Sequence, residues 1–184
     1  MKKQLELRLY GLVMYNISPI QQGIQFGHAN DIYKEKYGKD KNYQEFLKKH
    51  KTYIVLNGGT SNDGKRTMYG QPKQLGSMEQ HLQTLQKNKI KCAAFYEPDL
   101  NYALSAIVFL VDERVFNKKD YPDFEYTEKN YLKDLTLLNN NPGSGCFIKP
   151  NYESEKATLY KHYVKEVGKE IAFLKEFLKS FKFA

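Results

Sequence analysis

The chain has 184 residues, and 29 lysines and arginines against 21 aspartates and glutamates give it a formal net charge of +8. This length predicts one main domain with an extension, and the basic balance permits nucleic acid, phosphorylated ligands or acidic partners without selecting among them. Cys92 and Cys146 share no metal or redox spacing, the opening residues lack the apolar core of a signal peptide, and no apolar run approaches the roughly 20 residues of a membrane span, so we expect a soluble cytoplasmic protein without disulfides, metal or cofactor.

The first predicted elements are a buried strand over residues 7–15 and a helix that opens at Ser18. Pro19 stands at the first helical position, where a missing N–H costs nothing, and Gln21 completes a Ser-x-x-Gln capping box with Ser18. We expect the helix to end near Gly38.

This helix has two faces of different character. The face predicted to pack against the strand consists of Ile20, Gly23, Ile24 and Gly27. The polar stripe consists of Gln21, Gln25 and His28, with Ser18 one turn earlier. The stripe is either a solvated surface or a set of ligand-binding side chains in the crevice at the carboxyl ends of the strands.

Residues 18–29, together with the strand before them, resemble the signature helix of the type 2 (archaeal and eukaryotic-type) peptidyl-tRNA hydrolases, which reads Gly-Lys-x-Ala-Ala-Gln-x-x-His-Ala. Gln25, His28 and Ala29 match in place. Gln21 stands where the family has the lysine on which its activity relies. The other differences are Ile20, Gly23 and Ile24. The resemblance therefore implies the family's scaffold with an altered site.

The remaining elements of the first two thirds of the chain are predicted from apolar patterning. They are a short amphipathic helix over residues 41–50, a strand over 52–56, a helix from 77, and strands over 91–96 and 104–111. Because the strands are continuously apolar, the sheet should be covered on both faces. We predict a three-layer α/β/α fold with a four-stranded mixed sheet over residues 1–115, and a C-terminal helical extension over 116–184.

Residues 57–76 form a long segment rich in Gly, Asn and Lys. The pattern G-x4-G-K that ends at Lys65 is close to a phosphate-binding P-loop, but Arg66 stands where Ser or Thr must ligate Mg²⁺, and no helix can follow directly. We therefore exclude a nucleotide-hydrolysing P-loop. Asn57 is predicted to contact the ligand, and Lys65 and Arg66 to contact its phosphates.

The helix after this segment is predicted to have Ser77 as its N-cap, with Gln80 three residues later. Its core stripe consists of Met78, Leu82 and Leu85, and His81 is predicted to lie at the surface.

In the family that the chain resembles, a catalytic Asp follows the third strand and a Thr enters the fourth. Glu97 or Asp99 takes the acidic position here, and Ser105 is the nearest hydroxyl to the Thr position. The alternative for the two acids is turn chemistry around Pro98. The resemblance thus implies a catalytic set of Gln21, Gln25, His28, Glu97, Asp99 and Ser105, with ligand contacts from Ser18, Asn57, Lys65 and Arg66.

Beyond residue 115 the resemblance stops, and helices are predicted over residues 126–138 and 154–181. The second carries a seam with alternating steps of four and three, formed by Tyr160, Val164, Val167, Ile171, Leu174, Leu178 and Phe181. The seam either packs over the chain's own domain or pairs with a second copy in a homodimer.

Two functions remain open, beside a plain protein-interaction module. In one, the chain is a divergent hydrolase that cleaves the ester of peptidyl-tRNA. In the other, the scaffold has lost its catalytic lysine and binds a small phosphorylated or nucleotide-type ligand, or tRNA. Such a sequestering role suits a mobile-element or phage product, and the Lys- and Tyr-rich usage is typical of an AT-rich genome.

Overall fold

The computed structural model describes residues 4–62, 75–139 and 151–184, without the side chains of residues 134–139. Within them a four-stranded mixed sheet has the order β2–β1–β4–β3. Its strands are β1 (Leu7–Met14), β2 (Thr52–Gly59), β3 (Cys92–Glu97) and β4 (Ala103–Asp112). β1 runs parallel to β2 and antiparallel to β4, and β3 is antiparallel to β4.

Seven α-helices are described. They are α1 (Pro19–Tyr37), α2 (Lys41–Glu45), α3 (Ser77–Lys87), α4 (Glu113–Phe116), α5 (Glu128–Asn139), α6 (Tyr152–Val167) and α7 (Lys169–Leu178). A π-helical turn, Phe46–His50, continues α2, and a 3₁₀ turn, Pro98–Leu100, joins β3 to β4. Among the described residues, no helix is both long and apolar enough to cross a membrane.

The sheet separates two layers of helices, because successive side chains of a strand point to opposite faces. On one face, Tyr10, Leu12 and Met14 of β1 pack in a core with residues of α3 and α7. On the other face, Leu7, Leu9 and Val13 pack with residues of α1 and α2. The predicted three-layer α/β/α fold with a four-stranded mixed sheet and C-terminal helices is confirmed.

The start of α1 is the predicted capping box. Ser18 Oγ accepts a hydrogen bond of 3.3 Å from the Gln21 backbone N–H, and Gln21 Oε1 accepts one of 3.1 Å from the Ser18 N–H. Pro19 is the first helical residue, and the helix ends at Tyr37 with Gly38 as its C-cap.

The start of α3 differs from the prediction. Gly76 is the N-cap, and Ser77 is already helical. The Ser77 hydroxyl instead accepts from the Thr60 N–H at 2.8 Å and donates to the Gly58 carbonyl at 3.0 Å, so it ties α3 to the end of β2. The Ser77 hydroxyl does not cap the helix because it bonds to backbone groups at the end of β2, which are 17 and 19 positions away in the chain.

The predicted surface position of His81 was wrong. Its imidazole is half-buried, with ring centroids 5.7 Å from Phe177 and 4.8 Å from Phe181. The other residues of this helix behaved as predicted, since Met78, Leu82 and Leu85 are buried. The partners of His81 come from the C-terminal part of the chain, nearly a hundred positions away.

The prediction of a single long C-terminal helix was also wrong. Gly168 separates α6 from α7. Its backbone has φ 93° and ψ 145°, a conformation that only glycine adopts readily. Ile171 and Leu174 of α7 are buried in the core against the sheet, which is the packing over its own domain that one interpretation predicted. Pairing with a second copy stays a prediction.

Candidate functional site

The strand directions bring several chain segments to one edge of the sheet. Val13 pairs with Ala106, and Glu97 pairs with Ala103, so the ends of β1, β2 and β3 meet the start of β4. α1 begins a few residues after the end of β1, and α3 is the next described helix after the end of β2. We call this end of the sheet the carboxyl edge, the side on which α/β sheets usually bind ligands.

A chain of hydrogen bonds joins three predicted site residues at the carboxyl edge. Ser105 Oγ donates to Gln25 Oε1 at 2.7 Å, and Gln25 Nε2 donates to Glu97 Oε2 at 2.5 Å. Ser105 is fully buried, Gln25 is only 7% exposed, and Glu97 is half-buried. The three side chains come from β4, α1 and the end of β3, and we refer to them as the polar chain.

The polar chain sets one orientation of the Gln25 amide. The reverse orientation would place the amide oxygen against the Glu97 carboxylate, where both atoms are acceptors. Ser105 Oγ also lies 3.3 Å from the Phe95 carbonyl, a longer alternative for its single proton. A buried amide needs such partners, because leaving either end unpaired costs about 1–3 kcal/mol.

Close packing of α1 on β1 directs Gln25 inward. A Cβ at Gly11 would collide with the Phe26 ring, so this glycine is what allows α1 to approach the strand. The buried residues of α1 are Gln25, Ala29 and Tyr33.

The predicted packing face of α1 was therefore wrong. Ile20 is 78% exposed and Ile24 is 50% exposed. A Cβ added at Gly23 or Gly27 would have no neighbour within 4 Å, so neither glycine serves close packing in this chain. The helix is rotated so that part of its polar stripe is buried and its apolar stripe faces outward.

The structure distinguishes the two acidic candidates. Glu97 meets Gln25, whereas Asp99 is exposed and contributes only its backbone N–H, which donates to Glu97 Oε1 at 3.4 Å. This bond is also the turn contact that the alternative interpretation expected around Pro98. The Glu97 side chain thus serves both the turn and the polar chain.

The other predicted residues lie apart from the polar chain. His28 is exposed and its ring centroid is 4.6 Å from that of Phe95. Gln21 and Ser18 are exposed and bond to each other in the helix cap. Asn57 is exposed, and its Oδ1 accepts from the Gly59 N–H at 2.8 Å. Lys65 and Arg66 lie outside the described residues.

The described part of the carboxyl edge carries acidic side chains but no lysine or arginine. The ranges that form it are 9–33, 52–62, 75–86 and 92–112, and they contain the acidic residues Asp31, Glu79, Glu97, Asp99 and Asp112 but no lysine or arginine. Among the described residues, no ion pair involves Glu97. The lysines and arginines of the described structure therefore lie outside this edge.

The same edge exposes large apolar side chains that sequence analysis did not identify. They are Tyr15, Ile20, Ile24, Leu75, Tyr96, Leu100 and Tyr102. Alternation of apolar and polar residues could not find them, because several lie in turns. The one sequence signal is the placement of Tyr102 in a Pro-Asp-x-Asn-Tyr turn, where a bulky ring is unusual.

A metal centre does not form in the described part of the chain, where no three His, Cys, Asp or Glu side chains are grouped to hold an ion. Comparisons with protein-family models, curated proteins and solved structures find no match for this chain. What the carboxyl edge can bind therefore follows from its own side chains.

Proposed function

We propose that this chain is a peptidyl-tRNA-hydrolase-like protein that binds a nucleotide-type ligand, such as the single-stranded end of a tRNA, without cleaving it efficiently. The observation that carries this proposal is the polar chain of Ser105, Gln25 and Glu97, which holds a carboxylate at the carboxyl edge, and this edge also exposes several tyrosines. In the resemblance, Gln25 matches the family's Gln, Glu97 is one of two candidates for its Asp, and Ser105 is the hydroxyl nearest its Thr, which supports a common scaffold.

The chemistry of the polar chain favours a ligand with hydrogen-bond donors. A carboxylate has about four acceptor sites, and Glu97 uses one for Gln25 and one for the long contact with the Asp99 N–H. The remaining sites can accept from the amino group of a nucleobase or from a ribose hydroxyl. Unstacked bases are typically bound by such contacts together with aromatic rings.

The same residues argue against fast ester hydrolysis. Stabilising the developing oxyanion requires positive charge or strong donors, and losing one such donor costs about 10²–10³ in rate. Gln21, at the position of the family's lysine, is neutral and its amide oxygen is bonded within the helix cap. No lysine or arginine of the described carboxyl edge replaces it.

We assign the phosphate contacts to Lys65 and Arg66, which lie outside the described residues. Asn62 and Leu75, the described residues nearest to Lys65 and Arg66 in the chain, belong to this edge. A ligand held in this way by base and phosphate is consistent with a cytoplasmic protein that sequesters a nucleotide or tRNA, for example a phage or mobile-element product.

The binding proposal is tested with deacylated tRNA and with free mononucleotides. Glu97→Gln keeps the shape of the side chain but removes its charge, so we expect affinity to fall by about tenfold or more. Asp99→Asn is the matched control, because its carboxylate lies two positions away and outside the polar chain, and it should bind like the natural protein. Absence of binding to both probes by the natural protein would refute the proposal.

A second candidate, residual peptidyl-tRNA hydrolysis, is favoured by the assembly of the three family positions in one polar chain. We expect the natural protein to leave peptidyl-tRNA intact and Gln21→Lys to produce measurable cleavage. Ile20→Lys adds the same charge at an exposed neighbouring position and should not. Rapid cleavage by the natural protein would establish the hydrolase and exclude sequestration.

A further inference from the structure

The turn that follows Glu97 has an unusual backbone. After the 3₁₀ turn Pro98–Leu100, Asn101 has φ 53° and Tyr102 has φ 58°, two successive residues in the left-handed region. The Tyr102 N–H donates to the Glu97 carbonyl at 2.9 Å, and β4 begins at the next residue. Asparagine tolerates this conformation, but a bulky residue there is a true outlier.

Burial does not explain the tyrosine at this position. Its side chain is 64% exposed, so it gains little from the apolar core in return for the unfavourable backbone. Glycine or asparagine would satisfy the turn at lower conformational cost. Strained residues occur mainly at functional sites, so the strain at Tyr102 beside the polar chain indicates a role in binding.

Tyr102 lies close to Glu97 in the fold as well as in the chain. Glu97 pairs with Ala103 across the two strands, and the hydrogen bond from the Tyr102 N–H fixes the backbone between them. Tyr96, on the other side of Glu97 in the chain, is also exposed. The backbone of a short, hydrogen-bonded hairpin therefore holds Tyr102 close to Glu97.

We infer that Tyr102 is a ligand-contacting residue, whose ring stacks on the planar base of the ligand while Glu97 accepts a hydrogen bond from it. This inference rests on the proposed function and adds the chemical class of the group that is recognised, an unpaired nucleobase. Stacking tolerates any base, because every base has a π face, so Tyr102 supplies affinity and Glu97 supplies preference for bases with amino groups.

The test uses a fluorescent single-stranded RNA hexamer and the same backbone without bases. The natural protein should bind the base-bearing RNA more tightly than the abasic RNA. Tyr102→Ala should weaken binding of the base-bearing RNA by about tenfold, within the range for one base stacked on an aromatic ring, and leave the abasic RNA unaffected. Tyr102→Phe keeps the ring and should bind like the natural protein.

Two further variants separate binding from folding. Tyr102→Gly removes the ring but suits the left-handed backbone, so it should have a higher urea midpoint than Tyr102→Ala and the same weakened RNA binding. Asn101→Gly relaxes the adjacent residue without touching the ring and should leave affinity unchanged.

The outcomes distinguish the two proposals. If RNA binds the natural protein and the alanine and glycine variants equally, the role of Tyr102 is refuted while the proposed function stands. If base-bearing and abasic RNA bind equally to the natural protein, base recognition is refuted. If the natural protein binds none of the RNA hexamer, tRNA and free mononucleotides, the proposed function fails and this inference fails with it.

Discussion

The Gln25 amide donates a 2.5 Å hydrogen bond to the Glu97 carboxylate, although 72 positions separate the two residues in the chain. The bond joins the first turns of α1 to the end of β3, and the Ser105 hydroxyl on β4 donates to the oxygen of the same amide. Three elements are thus connected through one buried side chain, so the polar chain contributes to stability as well as to the proposed binding.

Removing the Ser105 hydroxyl should destabilise the fold. Ser105→Ala leaves Gln25 Oε1 without its donor in a buried position, which should lower the free energy of unfolding by about 1–3 kcal/mol in urea titration. Ser154→Ala, on the exposed surface of α6, is the control and should change it by less than about 0.5 kcal/mol. Equal effects of the two substitutions would mean that the amide is satisfied in another way.

Packing of α1 on β1 should depend on the absence of a side chain at residue 11. Gly11→Ala places a Cβ against the Phe26 ring and should lower the free energy of unfolding by about 1–3 kcal/mol through overpacking. In a protein that already carries Phe26→Ala, Gly11→Ala should cost less free energy of unfolding than it costs in the natural protein. A double-mutant cycle measures this coupling, and additive losses would contradict the proposed contact.

The break between α6 and α7 should require glycine. Gly168→Ala has space for its Cβ, so its cost comes only from the backbone at φ 93°, and we expect a loss of about 1–3 kcal/mol in unfolding free energy. Gly23→Ala is a matched control with the opposite sign, since Gly23 is helical, its Cβ position is open, and alanine favours helix by about 1 kcal/mol. If Gly168→Ala also stabilises the protein, the two helices are continuous.

Contact between His81 and the C-terminal residues should make stability depend on pH. Burial against Phe177 and Phe181 lowers the pKa of His81 below its ordinary value of 6.5. Just below that pH the unfolded state therefore binds more protons than the folded state, so the free energy of unfolding should decrease as the pH falls from 7.5 through 6.5 and level off below the folded-state pKa.

The measurement compares unfolding at pH 7.5 and pH 5.5. His81→Gln has no group that titrates in this interval and should lose less stability on acidification than the natural protein. His162→Gln, on the exposed surface of α6, should retain the natural dependence. The burial effect would be disproved by an unchanged pH dependence in His81→Gln.

Much of the architecture could be predicted from the chain because its signals are local. The capping box needs only Ser18, Pro19 and Gln21, which are neighbours, and each buried strand is a continuous apolar run. The position of α3 was also predictable from Met78, Leu82 and Leu85. The long C-terminal helix was not, because a seam of apolar residues continues through Gly168 without showing that the backbone changes there.

The sequence by itself determined where the strands and most of the helices lie and which polar residues were candidates for a site. Only the tertiary structure decided which of them meet, since the orientation of α1 depends on partners far along the chain. Gln25 is buried because Ser105 and Glu97 satisfy both ends of its amide, while Ile20 and Ile24 remain exposed at the same edge. Burial of a polar group is a property of its hydrogen-bond partners, and here those partners are separated from it by 72 and 80 positions.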